Sequence, residues 1–126
     1  MTLRFKSNAA KLLMFAILAT SHPAMATDVS MDFSFRGSKG CVSLYPNPEI
    51  RFKNIPSAAK SVLLTLHQGE RELGGQEIPV PPNGVVPAGT IRSYSPCNPG
   101  LYEYRANFKS SDGRVLANSR QSQQFP

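Results

Sequence analysis

Few side chains beyond residue 26 carry the chemistry of a catalytic centre. His67 is the only histidine in that part of the chain, so a Ser/His/Asp or Cys/His catalytic set would need it as the base. No G-x-S-x-G motif supplies a nucleophile, and among the acidic residues only Glu70 and Glu72 are close in sequence. The sequence therefore predicts a protein that is not an enzyme and has no cofactor, with a hydrolase that uses His67 as the alternative.

The two cysteines, Cys41 and Cys97, indicate a disulfide rather than a metal site. No C-x-x-C pair is present, and His67 has no second ligand at a typical metal-binding spacing. In an exported chain these thiols are expected to be oxidised. A bridge between them would close a loop of 57 residues, which stabilises the fold by about 4 kcal/mol in the chain-entropy description.

The first 26 residues have the pattern of a signal peptide. Basic residues (Arg4, Lys6, Lys11) precede an apolar run at 12–19, and small residues lead up to Ala26. The apolar run is much shorter than the roughly 20 residues that span a bilayer. The sequence predicts cleavage after Ala26, no transmembrane segment after cleavage, and a periplasmic or secreted protein, with an uncleaved anchor as the alternative.

The positive charge of the chain does not indicate a nucleic-acid partner. The formal net charge is +6, but three of the 14 Lys and Arg residues belong to the predicted signal peptide. The remaining 11 basic and 8 acidic residues give a net charge of +3 for residues 27–126, without a run of Lys or Arg. One hundred residues are enough for a single domain.

The elements that must position these side chains are strands. Apolar and polar residues alternate at 31–36, 49–52 and 101–108, residues 61–67 form the most apolar run, and an Asp-Gly turn leads into a strand at 115–117. The Gly- and Pro-rich segment 69–99 predicts only short edge strands at 78–80 and 85–86. The predicted fold class is all-β, a small antiparallel β-sandwich of residues 27–126 with one disulfide.

Two stretches resemble a known family. Residues 47–66 (NPEIRFKNIPSAAKSVLLTL) and residues 95–104 (SPCNPGLYEY) resemble, in this order, two conserved elements of bacterial phosphatidylethanolamine-binding proteins. Some secreted members carry cysteines at the places of Cys41 and Cys97. The resemblance covers about 70 of the 100 residues after the signal peptide. It implies a β-sandwich that binds a small anionic ligand such as a phospholipid headgroup.

The same resemblance implies a degenerate pocket. The family's acidic D-P-D-x-P loop corresponds to residues 67–72, which lack the motif, and the family's pocket histidine corresponds to Tyr102. Tyr102, His67 and Arg71 are the candidate ligand-binding residues that remain. The implied function is an exported, non-enzymatic binding or inhibitory module.

An immunoglobulin-like sandwich is the alternative. The pattern P-G-x-Y-x-Y-x-A-x-F at residues 99–108, followed by Asp112-Gly113, resembles the penultimate hairpin of such domains. The core Trp of antibody domains is missing, and Cys97 precedes the penultimate strand instead of lying within it. In this interpretation the domain would engage another envelope protein through an exposed edge strand.

Overall fold

The computed structural model describes residues 28–126, and the predicted signal peptide at 1–26 lies outside them. The described residues form seven strands and no helix, and none of them forms a segment of helix that could cross a membrane. The strands are β1 (Ser30–Asp32), β2 (Ile50–Lys53), β3 (Ser61–Gln68), β4 (Arg71–Pro79), β5 (Val85–Val86), β6 (Gly100–Lys109) and β7 (Val115–Phe125).

The strands pair into two antiparallel sheets. One sheet has three strands in the order β1-β2-β5, and the other has four strands in the order β4-β3-β6-β7. Alternate residues of the long strands are buried, as expected for a strand with one face on a core. The predicted small antiparallel β-sandwich is confirmed.

The hydrophobic core lies between the two sheets. Phe52 of β2 and Phe108 of β6 meet across it edge to face, with ring centroids 5.1 Å apart and planes at 89°, a favourable arrangement for aromatic pairs. The core consists of Val29, Met31, Phe33, Phe35, Ile50, Phe52, Ala59, Val62, Leu64, Leu66, Leu73, Val86, Ile91, Tyr102, Tyr104, Ala106, Phe108, Ala117 and Phe125.

Strand β4 is longer than the sequence predicts. An edge strand was expected at 78–80, but the ladder with β3 begins at Arg71 and includes Gly74 and Gly75. The two strands approach closely there, since a Cβ atom on Gly75 would be 2.1 Å from the carbonyl oxygen of Leu64. The glycine pair therefore allows the close approach instead of forming a turn.

Strands β1 and β7 also differ in length from the prediction. The ladder of β1 covers only Ser30–Asp32, although Phe33 and Phe35 beyond it remain buried, as the alternation predicts. The strand expected at 115–117 continues to Phe125. Residues 118–124 are polar and carry no apolar alternation, but they pair with β6 residue by residue. Backbone pairing extends β7 where side-chain pattern does not indicate a strand.

Two irregular segments cover the free edge of β4. The N–H of Tyr94 donates to the carbonyl oxygen of Leu73 in β4 at 2.8 Å, and the N–H of Ser93 donates to the carbonyl oxygen of Leu44 at 3.0 Å. Segment 93–94 therefore lies beside β4, and Leu44 lies beside that segment in turn. These backbone bonds place three parts of the chain side by side at one end of the sandwich.

Asn47 fixes the entry and exit of these segments. Its side chain is buried, its Oδ1 accepts hydrogen bonds from the N–H groups of Thr90 (2.8 Å) and Ile91 (2.7 Å), and its Nδ2 donates to the carbonyl oxygen of Pro87 at 2.9 Å. These bonds satisfy the buried amide and fix the irregular backbone around it. Asn47 thereby ties the start of β2 to the segment that leads to Tyr94.

Candidate ligand-binding cavity

A cavity of about 540 Å³ opens at the end of the sandwich where these segments meet. Its volume is within the range of small-molecule binding sites. The lining comes from the segment after β1, the β3–β4 turn, the segment before β6 and the start of β6. The lining residues are Cys41, Val42, Ser43, Leu44, Gln68, Arg71, Leu73, Tyr94, Ser95, Cys97, Asn98 and Tyr102.

The predicted disulfide is present and forms part of the cavity wall. Cys41 and Cys97 are bonded, with their Cα atoms 4.9 Å apart, and no free cysteine remains in the described residues. The N–H of Cys41 lies 3.0 Å from both the carbonyl oxygen of Pro96 and the Oγ of Ser95. The bridge and these hydrogen bonds hold segment 41–45 against the loop that precedes β6.

Tyr102 closes the inner end of the cavity. It is only 2% exposed, and its ring packs edge to face on Phe125 with centroids 5.8 Å apart. The Oη of Tyr102 donates to the carbonyl oxygen of Asn98 at 2.8 Å. This bond satisfies the buried hydroxyl and fixes the loop that carries Asn98 and Cys97.

Arg71 is the only charged residue in the lining of the cavity. It is the first residue of β4 and is exposed, and within residues 28–126 no carboxylate lies within ion-pair distance of its guanidinium. The other polar side-chain groups are the amides of Gln68 and Asn98 and the hydroxyls of Ser43, Ser95, Tyr94 and Tyr102. A guanidinium without an acidic partner, together with neutral donors, suits an anionic group.

His67 lies on the other side of the four-stranded sheet. Its register partner in β6 is Glu103, whereas Tyr102 points to the core, so the two candidates are on opposite faces. The His67 ring nitrogen Nε2 is 2.8 Å from the Oγ1 of Thr65. His67 does not line the cavity, so the structure brings Arg71 and Tyr102 together and leaves His67 apart.

The surroundings of His67 favour its neutral form. The side chain is 7% exposed, and burial lowers the pKa of the imidazole, with a further lowering by the nearby charge of Arg105. Glu72 and Glu103 act in the opposite direction, and Arg120 adds to the lowering. A neutral, buried imidazole bonded to a threonine is a structural feature of the outer sheet face.

Glu103 is the centre of an ion-pair cluster on the same face. Its carboxylate accepts from the Nε of Arg105 at 2.5 Å and from the Nε of Arg120 at 3.3 Å. Partial burial acts to raise the pKa of Glu103, but the hydrogen bonds from Arg105 and Arg120 outweigh it and lower the pKa overall. Glu103 pairs with Arg105 and Arg120. These two arginines are therefore less available to an anionic ligand than Arg71 is.

No sequence pattern predicts the apolar part of the cavity. Val42, Leu44 and Tyr94 line it with exposed fractions of 66%, 51% and 70%. Exposed large apolar side chains around a concave site are a common mark of binding. The signal that was available is the position of Tyr94, between polar residues and three residues before Cys97, where no strand pattern explains an aromatic side chain.

Two further observations limit the alternatives among residues 28–126. No group of three or more His, Cys, Asp or Glu side chains in this part of the chain is placed to hold a metal ion. A second cavity, of about 460 Å³, contains both Asp32 and Arg36, and its Arg51 and Glu49 pair with each other at 2.6 Å. The cavity with Arg71 is therefore the better anion site.

Comparison with known proteins adds no assignment to this geometry. No protein-family model matches the chain, and no curated protein or solved structure is significantly similar to it.

Proposed function

We propose that this protein is an exported, non-enzymatic binding or inhibitory module whose cavity takes a small anionic group, with a phospholipid headgroup as the reference ligand. The observation that carries the proposal is the guanidinium of Arg71, the single charge in the lining of the 540 Å³ cavity. Export to the periplasm or outside the cell is part of the proposal, and the disulfide is consistent with an oxidising compartment.

Arg71 and its neighbours supply the recognition in this proposal. A guanidinium donates two parallel hydrogen bonds to a phosphate or carboxylate, and such charge-assisted bonds are stronger than neutral ones. Gln68 and Asn98, which also line the cavity, add amide donors. Tyr102 contributes by holding the loop of Asn98, because its hydroxyl is already bonded to that loop.

The test is calorimetric titration of the oxidised, exported protein with glycerophosphoethanolamine and with inorganic phosphate. Arg71→Gln is expected to weaken binding by about ten- to a hundredfold, the effect of one charge-assisted hydrogen bond worth 1.5–3 kcal/mol. Arg114→Gln in the β6–β7 turn is the matched control, because Arg114 is exposed and does not line this cavity. Equal affinity of wild type and Arg71→Gln would exclude the site.

An immunoglobulin-like envelope domain that mediates protein–protein interaction is the second candidate. In the strand order, β3-β6-β7 correspond to the C-F-G strands of immunoglobulin domains and β1-β2-β5 to the A-B-E strands, while β4 pairs beside β3 as a C′ strand does. This order favours the immunoglobulin-like alternative as an architecture. The ligand-binding proposal accordingly rests on the cavity and not on the family resemblance.

Strand β7 is the surface that would serve this second function. It has 11 residues, lies at the edge of its sheet and has no strand partner on its outer side among residues 28–126. It carries one charged residue, Arg120, and no proline up to Phe125, so it lacks the usual protection of an edge against strand addition.

Chemical cross-linking followed by co-purification from the cell envelope tests this candidate. A stoichiometric protein partner that is lost in Gln124→Lys, which places a charge at an exposed position of β7 opposite the uncharged Leu101, would support it. Recovery of the protein alone, in wild type as well as in the variant, would count against it.

A further inference from the structure

A smaller cavity, here called the adjoining cavity, lies beside the one that contains Arg71. It measures about 270 Å³ and is lined by Leu44, Leu73, Gly74, Gly75, Arg92, Ser93 and Tyr94. Leu44, Leu73 and Tyr94 line both cavities. The two depressions therefore meet along three apolar side chains, and together they form a groove from Arg71 to Arg92.

From this groove we infer that the ligand is a single-chain anionic amphiphile, whose charged group pairs with Arg71 and whose alkyl chain lies against Leu73, Leu44 and Tyr94. The inference rests on the proposed function, because it extends the same site. It differs from that function in assigning a second part of the ligand to a second part of the groove.

The groove has an arginine at each end, Arg71 and Arg92, and the side-chain amides at the Arg71 end support this orientation. Neither cavity is lined by an Asp or a Glu side chain, so no carboxylate lies in the groove itself. Arg71 stands at the end where the amides of Gln68 and Asn98 also lie, whereas the stretch shared by the two cavities is apolar. A headgroup without an alkyl chain would contact only the end of the groove that contains Arg71. Leu44 and Tyr94 would then remain exposed to water.

The exposed side chains of this stretch gain the most from such a ligand. Leu44 is 51% exposed and Tyr94 is 70% exposed, although the backbones of residues 44 and 94 are fixed by hydrogen bonds at their segments. Leu73 beneath them is buried. An alkyl chain placed here would pack on Leu73 and against the ring of Tyr94. Because the backbone is already fixed, binding would cost little conformational entropy of the protein.

The experiment is a calorimetric titration of the oxidised, exported protein with butyl, hexyl, octyl and decyl phosphate, each below its critical micelle concentration. Burial of a methylene group is worth about 0.8 kcal/mol, so affinity should rise by up to about fourfold for each methylene that enters the groove. The increase in affinity per methylene should level off when the alkyl chain has filled the adjoining cavity. Inorganic phosphate and glycerophosphoethanolamine are the arms without an alkyl chain.

Variants assign the alkyl chain to the groove. Tyr94→Ala and Leu44→Ser are expected to reduce the gain in affinity per methylene, because each removes an exposed wall of the shared stretch. Val115→Ser is the matched control, since Val115 is 50% exposed but lies at the start of β7 and lines neither cavity. It should retain the chain-length dependence of the wild type.

The outcomes that would overturn the amphiphile proposal differ from those that would overturn the proposed function. Affinity for phosphate and glycerophosphoethanolamine without any dependence on chain length would overturn the amphiphile and leave the proposed function standing. A dependence that Tyr94→Ala and Leu44→Ser do not change would also overturn it, as would binding to phosphatidylglycerol vesicles without binding to monomeric alkyl phosphates. Failure of phosphate, headgroup and every alkyl phosphate to bind would overturn both proposals.

Discussion

Single residues decide which side chains can meet at the end of the sandwich. Tyr102 and His67 were both candidates for the ligand site, but the pairing of His67 with Glu103 puts it on the outer sheet face. A signal for this was present in the sequence, because His67 directly follows Leu66, and successive residues of a strand point to opposite faces while Val62, Leu64 and Leu66 face the core. Arg71 could not be placed in the same way, since its position depends on the geometry of the β3–β4 turn.

Tyr104 presents a buried hydroxyl whose removal should stabilise the fold. Its side chain is fully buried, and its Oη has no hydrogen-bond partner among the described residues. An unsatisfied buried polar group costs about 1–3 kcal/mol. Tyr104→Phe is therefore expected to raise the free energy of unfolding by about 1 kcal/mol in urea denaturation, and a less stable variant would show that the hydroxyl is bonded in solution.

The same residue predicts a loss of stability in alkali. Burial raises the pKa of Tyr104 in the folded state above its ordinary value of 10.0. The unfolded chain therefore releases the proton first, and stability is lost as the pH rises above about 10. Tyr104→Phe should show a smaller decrease in unfolding free energy over this range than the wild type does, and parallel pH profiles would contradict the assignment.

His67 predicts the corresponding effect at mildly acidic pH. Its folded-state pKa is lowered from 6.5, mainly by burial, so the unfolded chain binds the proton first as the pH falls. Its contribution is present above pH 6.5 and is lost as the pH falls through the unfolded and then the folded pKa. His67→Gln should flatten the stability profile between about pH 7 and pH 5, as measured by urea denaturation at each pH.

Glu103 and His67 affect stability in different pH ranges. Its folded-state pKa is lowered from 4.5, so its contribution is lost only below that value. A profile of His67→Gln that matches the wild type above pH 5 would therefore contradict the role of the histidine and not that of the ion-pair cluster.

At the scale of elements, the sequence predicts the strands that are buried on one face and misjudges those that are not. The apolar run at 61–67 and the alternation at 101–108 predicted β3 and β6 to within one residue at their ends. The polar half of β7 and the glycine pair of β4 carry no such alternation, and pairing with β6 and β3 makes them strands. Tertiary pairing overrides local pattern at these places.

Removal of the Cys41–Cys97 disulfide, which links two irregular segments, is expected to cause a large loss of stability. Cys41 and Cys97 are 56 residues apart and are joined outside the ladders. Cys41→Ser/Cys97→Ser is expected to lower the free energy of unfolding by about 4 kcal/mol. Cys41 to Tyr45 should also gain the most hydrogen exchange, because this segment loses its covalent tie to the β6 loop.

Hydrogen exchange provides the control for the disulfide prediction. Under conditions in which the double variant is folded, the amides of β3 and β6 should remain the most slowly exchanging ones, as in the wild type. Both strands lie within the four-stranded sheet. Unchanged exchange in segment 41–45, together with unchanged stability, would mean that hydrogen bonds such as that from Cys41 to Pro96 are sufficient to hold it.

At the scale of the whole molecule, the sandwich separates the two surfaces on which the two proposed functions depend. The cavity at one end joins Arg71, Tyr102 and an apolar groove, whereas β7 is an edge strand without an outer strand partner among residues 28–126. The sequence predicted the sandwich and its bridge because alternation and cysteine count carry that information. It could not predict the cavity, because segments 41–45 and 93–98 have no regular pattern and meet only through long-range hydrogen bonds.

The most direct test of the ligand-binding account is an NMR titration of the ¹⁵N-labelled, oxidised protein with glycerophosphoethanolamine. Binding in the cavity should give chemical-shift changes that saturate and are confined to the amides of Gln68, Arg71 and Asn98 and the residues beside them. Changes centred on the second charged cavity, around Asp32 and Arg36, or no saturable change at all, would contradict it.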